Sequence, residues 1–526
     1  MKKLSIIFLC VVLVLLSACG QQNGNIGDTV SVSKGGTFNL YSEYPDTFNP
    51  FTTSKWANSQ ILMNVFEGLF SVKPDKSVDG VLASSYKSDN TAMRYTISLK
   101  KDVVFHNGDK FSSRDVVYTL NCIKECNKNY ADVMEKIASY YASDDYEVII
   151  DLTEPVLDFA VYLDFPIIPF CYDSLTNDGK TFFDDTNKIA PIGTGAFMFG
   201  DDLTQTSMTL LKNTAWHGKD VYADKIAVTF MNDNTTALYS FNSCQTDIIS
   251  SDVVKSGEFS FSNKVTPYEY AGDYYNYLAF NFNNTLLSDI NIRKYISGAI
   301  DKKKIVNDVM HSHAKVVNVP INPDAYYSTS DPEIKYDTES IKNDLQKDGW
   351  TDLNSDTVAE KIIDGDLISL KFKLLVLSDN DVAAQTAEII KDNLAKCMIG
   401  TEIESLEKDD YYNALKNGDF DLALVQYKMP KNNDVSELLS TEGIHNYYGF
   451  SDDETDTACI KLKNASNAED VKSTFISFAG MFSKKLAHVP LYFSTYFVYY
   501  QNYLKNLTYP SYNNIYNGLA NIYIKY

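Results

Sequence analysis

One segment, residues 66–118, constrains the fold more than any other part of the chain, because several independent local signals agree in it. Tyr95, Ile97 and Leu99 alternate with polar residues, which is the period-two pattern of a half-buried strand. A second short strand is expected at residues 103–105. The segment therefore predicts two strands close together in the chain.

A tight turn and the start of a helix follow these strands. Asn107 and Gly108 both tolerate the positive φ that such a turn needs. Ser112 offers a hydroxyl N-cap, and Asp115 places a carboxylate in the first helical turn, where unpaired N–H groups and the helix dipole favour it. Val116 begins an apolar stripe with helical spacing. The segment thus specifies strand, turn and capped helix in that order.

The beginning of the chain has the features of an export signal. Two lysines precede the mostly apolar residues 4–16, a run too short to span a bilayer comfortably, and a small-residue cleavage site follows. Cys19 directly after Leu-Ser-Ala resembles the bacterial lipoprotein box, so we expect it to carry lipid. The alternative is an ordinary signal peptide with an incidental cysteine.

Composition and motifs exclude several classes of function. The formal charge of −22 argues against nucleic-acid binding, which needs a basic surface. No G-x-S-x-G motif is present, and Gly179-Lys180-Thr181 lacks the earlier glycine of a phosphate-binding loop. His311 and His313 have no accompanying metal-ligand motif. We therefore expect no enzyme, no cofactor and no metal site, with a surface lipoprotein hydrolase as the rival reading.

Residues 66–118 contain the short motifs E-G-L, L-A-S-S-Y, F-H-N-G-D and S-R-D-V-V-Y in this order. Their order resembles one family, the family 5 extracytoplasmic solute-binding proteins, which are oligopeptide, dipeptide and nickel receptors of ABC importers. Further matches are the G-T-G turn at residues 193–195, the segment around Trp216, the helix containing Arg293, and P-L-Y at residues 490–492. Arg293 lies beside the buried stripe of its helix, so we expect it to be structural.

Strands alternate with helices in the second half of the chain. Strands are predicted at residues 371–377, 401–405 and 420–425, and helices at residues 382–398 and 411–416. Such alternation implies right-handed crossovers and a largely parallel sheet.

The resemblance implies an α/β, two-lobed, periplasmic-binding-protein-like (type II) fold, with an extra subdomain on the first lobe and a hinged ligand cleft. The chain would cross between lobes near residues 268–282 and return near residues 489–492. The predicted parts are a signal peptide at 1–18, the lipidated Cys19 with a tether at 19–35, a first-lobe core at 36–66 with 189–271 and 491–526, an accessory subdomain at 67–188, and a second lobe at 272–490.

The lining of the cleft departs from the pattern of the peptide receptors. Those receptors follow a second-lobe strand with W-x-x-D, whose Asp grips the peptide α-ammonium, whereas Tyr427 and Pro430 stand at the matching positions here. Asp434 is the candidate substitute from a shifted loop. Many dipeptide receptors also hold the terminal carboxylate with a second-lobe Arg, and Arg293 is the only Arg in that part of the sequence. We therefore expect a lysine or backbone N–H groups to take that role.

The predicted ligand-binding residues are Tyr41, Glu43, Trp56, Tyr275 and Tyr427. Alternatives remain open, because Glu43 could be a solvated loop acid and each aromatic residue could belong to the core. The expected protein is a monomeric, lipid-anchored receptor that captures an extracellular solute and delivers it to an ABC permease and its ATPase subunits. Oligopeptide is the first expectation for the ligand. A sugar, nickel complex or metallophore, or a sensory or adhesive role for the same fold, is the alternative.

Overall fold

The computed structural model describes residues 34–172, 191–250, 261, 264–328, 335–511 and 513–525. The expected signal peptide, Cys19 and most of the tether lie outside the described residues. In the part of the chain that is described, no helix is both long and apolar enough to cross a membrane. Contacts between residues group 35–526 into one unit, so the boundaries expected between the lobes stay predictions.

Residues 34–172 contain a two-stranded ladder of β2 and β3, and an antiparallel sheet in the order β4-β5-β7-β6. A single 3-10 turn, Phe159–Tyr162, follows the sheet. The elements are β1 Thr37–Ser42, α1 Trp56–Leu62, β2 Phe70–Val72, β3 Val78–Gly80, β4 Ala83–Ser88, β5 Arg94–Leu99, α2 Ser113–Cys126, α3 Ala131–Lys136, β6 Ile137–Asp144 and β7 Glu147–Leu152.

The local predictions for this segment are confirmed except for one strand. β5 is the predicted alternating strand, and α2 begins directly after Ser112, whose backbone N–H donates to the Asp115 carboxylate over 2.8 Å. The strand expected at residues 103–105 is wrong, because Val104 forms only an isolated antiparallel bridge with Lys110. The turn at Gly108, whose φ is +88°, reverses the chain so soon that a single residue pair can form.

The carboxylate of Glu67, whose side chain is only 11% exposed, connects the E-G-L segment with the G-T-G turn and the segment around Trp216. It accepts hydrogen bonds from Thr194 Oγ1 at 2.8 Å, Trp216 Nε1 at 3.0 Å and His217 Nε2 at 2.8 Å. Gly193 packs against the same segment so closely that an added Cβ would lie 1.9 Å from the Val65 carbonyl oxygen. The G-T-G turn is therefore a packing motif, since only glycine permits this approach.

Residues 191–328 complete a second four-stranded sheet, in the order β1-β10-β9-β8, in which β1 and β10 are parallel. The elements are β8 Phe197–Phe199, β9 Ser207–Lys212, β10 Lys225–Phe230, α4 Asn234–Asn242, β11 Ile248–Ser250, β12 Val265–Phe280, α5 Thr285–Ser288, α6 Ile290–Ala299, α7 Lys302–Asp308 and β13 Ala314–Val316.

The remaining described residues complete a larger sheet in the order β11-β19-β12-β18-β16-β17, with β13 also paired to β19. The elements are α8 Thr338–Lys347, β14 Glu360–Ile363, β15 Asp366–Ser369, β16 Lys371–Leu377, α9 Asp381–Ala395, β17 Gly400–Leu406, α10 Lys408–Asn417, β18 Leu422–Lys428, α11 Ser436–Leu439, α12 Asp453–Lys463, α13 Ala468–Lys485, β19 His488–Gln501, β20 Leu504–Lys505 and β21 Tyr523–Ile524. Each strand and helix predicted in this half is present.

The expectation of a largely parallel sheet is wrong for this large sheet. β16 is parallel to β17 and to β18, but β12 and β19 run antiparallel to each other, and β12 runs antiparallel to β18. The parallel part consists of the strands that helical crossovers join. β12 and β19 are long single strands outside those crossover units, so the alternation rule does not apply to them.

β12 and β19 form one long antiparallel pair within the large sheet. Val265 pairs with Gln501 at one end and Ala279 with His488 at the other. The register shifts between Ala271 and Tyr275, so the ladder is interrupted near its middle. A register shift of this kind is a β-bulge, which lets a strand bend without losing its remaining hydrogen bonds. Both segments predicted to cross between lobes lie in this pair.

A fully buried histidine holds the start of β19 in the core. Tyr448 Oη donates to the Leu438 carbonyl at 2.6 Å, so it accepts from His488 Nδ1 at 3.1 Å. The other nitrogen, His488 Nε2, then accepts from Tyr275 Oη at 2.7 Å. Burial lowers the pKa of His488 to about 3, which keeps the imidazole neutral.

This histidine predicts a pH dependence of stability. The folded pKa lies below the ordinary value of 6.5, so between these values the unfolded chain binds more protons and the free energy of unfolding falls as pH falls. We expect His488→Gln to be less stable than the native chain by about 1–3 kcal/mol at pH 7. The gap should narrow between pH 6.5 and 4, as measured by urea unfolding.

The matched control is His311→Asn, a substitution at an exposed loop histidine. Its unfolding curve should follow that of the native chain throughout this pH range. A constant gap between His488→Gln and the native chain would contradict the assignment of a neutral buried imidazole.

Candidate ligand-binding site

A cavity of about 260 Å³ lies where α1, the bulged part of β12, β19 and the end of β18 meet. We call it the cleft cavity, and its lining residues are Trp56, Ser59, Gln60, Met63, Tyr130, Ser250, Tyr270, Asp273, Lys428, Tyr496, Phe497, Val498, Asn513 and Ile515. Ligands of α/β proteins bind in crevices at the carboxyl ends of strands, and β18 ends at this cavity. We therefore take it as the candidate site.

Aromatic side chains form much of its wall. Trp56, the first residue of α1, is 39% exposed and lines the cavity. Tyr270 of β12 and Tyr496 of β19 pack edge to face, with ring centroids 6.0 Å apart. Such rings offer apolar contact area with little loss of side-chain entropy on binding.

Two charged side chains line the cavity, the carboxylate of Asp273 and the ammonium-bearing side chain of Lys428. Asp273 is buried and its Oδ1 lies 2.9 Å from the ammonium of Lys76, which is equally buried. Lys428 is exposed, and no hydrogen bond or ion pair of its ammonium is found among the described residues. The site therefore presents a lysine ammonium, while its buried carboxylate is already neutralised.

Trp56 is the one predicted ligand-binding residue that lines the cleft cavity. Tyr41 is 5% exposed and packs in a small apolar cluster with Phe241 and Phe497. The Glu43 carboxylate lies 3.5 Å from Lys55 Nζ, with both side chains about 40% exposed, and does not line the cavity.

Tyr275 and Tyr427 do not line the cleft cavity, because their side chains lie on the other face of the sheet. They are paired neighbours on β12 and β18, and both face the apolar cluster that contains Phe493. Tyr275 is completely buried, so the expectation that it contacts ligand does not fit its position in the core. Successive side chains of a strand point to opposite faces, and Lys428 next to Tyr427 consequently points away from that cluster and lines the cavity.

Lys428, Tyr270 and Tyr496 line the cavity but are not among the ligand-binding residues predicted from the sequence. The signal that could have found Lys428 is the alternation along β18, where Leu422 and Leu424 face the opposite apolar cluster from Val425. Extending that alternation by two residue pairs places Lys428 on the face away from Tyr427.

The residues compared with the peptide-receptor pattern have other roles in the described structure. Asp434 accepts hydrogen bonds from the Ser436 backbone at 2.9 Å and from its hydroxyl at 2.5 Å, at the start of α11. Arg293 is 5% exposed and donates to the carbonyl oxygens of Leu486, Leu287, Ser288 and Lys485. The expectation that Arg293 is structural is confirmed.

Sheet topology and cavity together fit the class of substrate-binding proteins, in which a small solute is held in a crevice beside long strands. The model of bacterial extracellular solute-binding proteins, family 5, matches residues 77–442. The chain belongs to this family, whose members are receptors for peptides and other small solutes. The predicted family is confirmed, and so is the two-lobed α/β type II fold.

Similarity to characterised relatives extends over nearly the whole chain. Oligopeptide-binding protein AppA of Bacillus subtilis is 24% identical over 532 residues, which cover 95% of this chain and 94% of that protein. Heme-binding protein A of Haemophilus influenzae is 23% identical, covering 89% and 90%. The unliganded open form of MppA, a periplasmic murein tripeptide binding protein, superposes with a TM-score of 0.78 at 16% identity, covering 94% and 98%.

The buried pair of Lys76 and Asp273 should be important for stability. Replacing Asp273 with Asn removes the carboxylate beside the Lys76 ammonium while that lysine stays buried, since both side chains are only 3% exposed. We expect Asp273→Asn to lower the free energy of unfolding by about 3–5 kcal/mol, measured by urea denaturation. The double variant Lys76→Met/Asp273→Asn should recover part of this loss.

An exposed ion pair in the same part of the chain provides the control. Lys73 Nζ lies 3.2 Å from Asp79, with side-chain exposures of 34% and 66%. Asp79→Asn should change stability by less than about 1 kcal/mol. Equal effects of the two Asp→Asn substitutions would contradict the role given to the buried pair.

Proposed function

We propose that this chain is the oligopeptide receptor of an ABC importer, held at the outer face of the cell membrane by lipid on Cys19. The observation that carries the peptide assignment is the cleft cavity itself, which is lined by several aromatic side chains and by the exposed lysine Lys428. Such a lining suits an extended chain with apolar side chains and a terminal carboxylate. The oligopeptide-binding name of the AppA relative supports the same ligand class.

The bulged strand pair suggests how binding is communicated. α1 and the end of β18 both line the cavity. β12 and β19 connect them, and the register of this strand pair shifts at residues 271–275. A solute that contacts both sides favours the closed arrangement by its differential affinity for closed over open. Closure about a hinge then presents a surface that the permease recognises.

Native mass spectrometry of purified residues 20–526, followed by thermal shift against the released ligand, tests the ligand class. A co-purified peptide mixture, and a rise in melting temperature with a random peptide library, are expected. Haem, a nickel–histidine complex and simple sugars serve as competitors, since a relative is named for haem binding. A shift with one of these and none with peptides would overturn the peptide assignment while leaving the fold unchanged.

Trp56 is the aromatic residue to test first, because it is exposed in the free protein and lines the cavity. We expect Trp56→Ala to weaken peptide binding about tenfold, equivalent to about 1.4 kcal/mol, without lowering stability. Isothermal titration calorimetry measures the affinity. Tyr141→Ala, at a similarly exposed aromatic residue of β6 outside the cavity, is the matched control and should bind as the native chain does.

The lipid anchor at Cys19 is tested in a bacterial host that expresses the full chain. Radioactive palmitate should label the native chain, and the protein should sediment with membranes. Cys19→Ala should remain unlabelled and be released in soluble form. Release of the native chain to the same extent would contradict anchoring, whatever the outcome of the peptide experiments.

A further inference from the structure

We infer that the cleft recognises the carboxylate end of its ligand through Lys428 and forms no ion pair with an ammonium end. This specificity rests on the proposed peptide-binding function, but its central element, a cavity selective for a single anionic group, is testable without peptides. It predicts that peptides with a blocked amino terminus bind as well as free ones.

The first argument concerns the carboxylate that the cavity contains. Among the described lining residues, Asp273 is the only acid, it is 2% exposed, and its Oδ1 is already 2.9 Å from the Lys76 ammonium. A ligand ammonium at this carboxylate would be buried next to the Lys76 ammonium, and two like charges at such short range repel each other. Asp273 therefore does not serve as an ammonium acceptor.

The other candidate acids are engaged elsewhere. Glu43 forms an exposed ion pair with Lys55, and Asp434 accepts hydrogen bonds from Ser436. Asp164 is paired with Lys431 and accepts from Asn513 Nδ2 at 2.6 Å. None of these three acids lines the cleft cavity. An ammonium at the end of a ligand thus finds no available carboxylate in the described site.

Lys428 is placed to supply the opposite charge. Its backbone is fixed in the ladder opposite Tyr274, at the last residue of β18, while its side chain is exposed in the cavity. A lysine ammonium offers three donors to a carboxylate as a compact point charge. The chain as a whole carries a formal charge of −22, which disfavours polyanionic ligands more strongly than a ligand with one anionic group.

The peptide experiment uses four random pentapeptide libraries, which are unmodified, N-acetylated, C-amidated, or modified at both ends. Native mass spectrometry measures how much of each library the native chain retains. We expect N-acetylation to leave retention unchanged and C-amidation to reduce it about tenfold, as for the loss of one charged hydrogen-bonding contact. A loss on N-acetylation, or none on C-amidation, would overturn the inference.

A second experiment separates this inference from the peptide assignment. The probes are 3-phenylpropionate and 3-phenylpropylamine, which share an aromatic ring and differ in the charged group. The carboxylate should raise the melting temperature more than the amine. An equal effect, a larger effect of the amine, or no effect of either probe would overturn the inference. If no peptide library is retained but the carboxylate preference holds, the peptide function fails and the anion site stands.

Variants of Lys428 connect the effect to this residue. Lys428→Met should remove the preference for phenylpropionate and for free carboxyl ends, whereas Lys428→Arg should preserve both. Lys408→Met is the control, since Lys408 is an exposed lysine of the same lobe that lies outside the cavity. A preference that survives in Lys428→Met, or is lost in Lys408→Met, would contradict the assignment.

Discussion

The antiparallel pairing of β12 with β19 is the constraint on which the rest of the structure depends. The same two strands pair with β11 at one end and with β18 and β13 at the other. Apolar clusters accordingly form against different lengths of one ladder, with Val498 and Tyr500 in one cluster and Val489 and Leu491 in another. The register shift between them is the natural place for bending, because the ladder hydrogen bonds are already interrupted there.

Most of the local structure could be predicted from the sequence because its causes are local. β16 occupies the predicted residues and β5 contains the predicted alternating ones, since each is a short apolar or alternating run. α2 begins where the serine and aspartate of its capping box require. The glycines of the G-T-G turn lie against the Val65 backbone, where a side chain would not fit, whereas the Glu67 carboxylate that binds the threonine between them is 127 residues away in the sequence.

The candidate site was harder to predict, because side-chain direction and partner choice are not local. Tyrosines at 275 and 427 were chosen for their aromatic character, but a shift of one residue along a strand changes the face on which a side chain lies. Both tyrosines pack in an apolar cluster that also contains residues distant in the sequence, such as Phe475 and Phe493. Likewise, nothing near Asp273 in the sequence indicates that its partner is Lys76, 197 residues earlier.

The loop after β18 explains why the cleft can lack the acid found in the peptide-receptor pattern. Pro430 stands at that position, and the next two residues turn towards the 157–164 segment. Lys431 pairs with Asp164, and Asn432 donates to the Leu157 carbonyl at 2.9 Å while accepting from Tyr162 Oη at 3.2 Å. These contacts fix the loop by protein groups alone. An acid in this loop would compete with Asp164 for Lys431. The charged side chain that lines the cavity at this end of β18 is instead Lys428, two residues before Pro430.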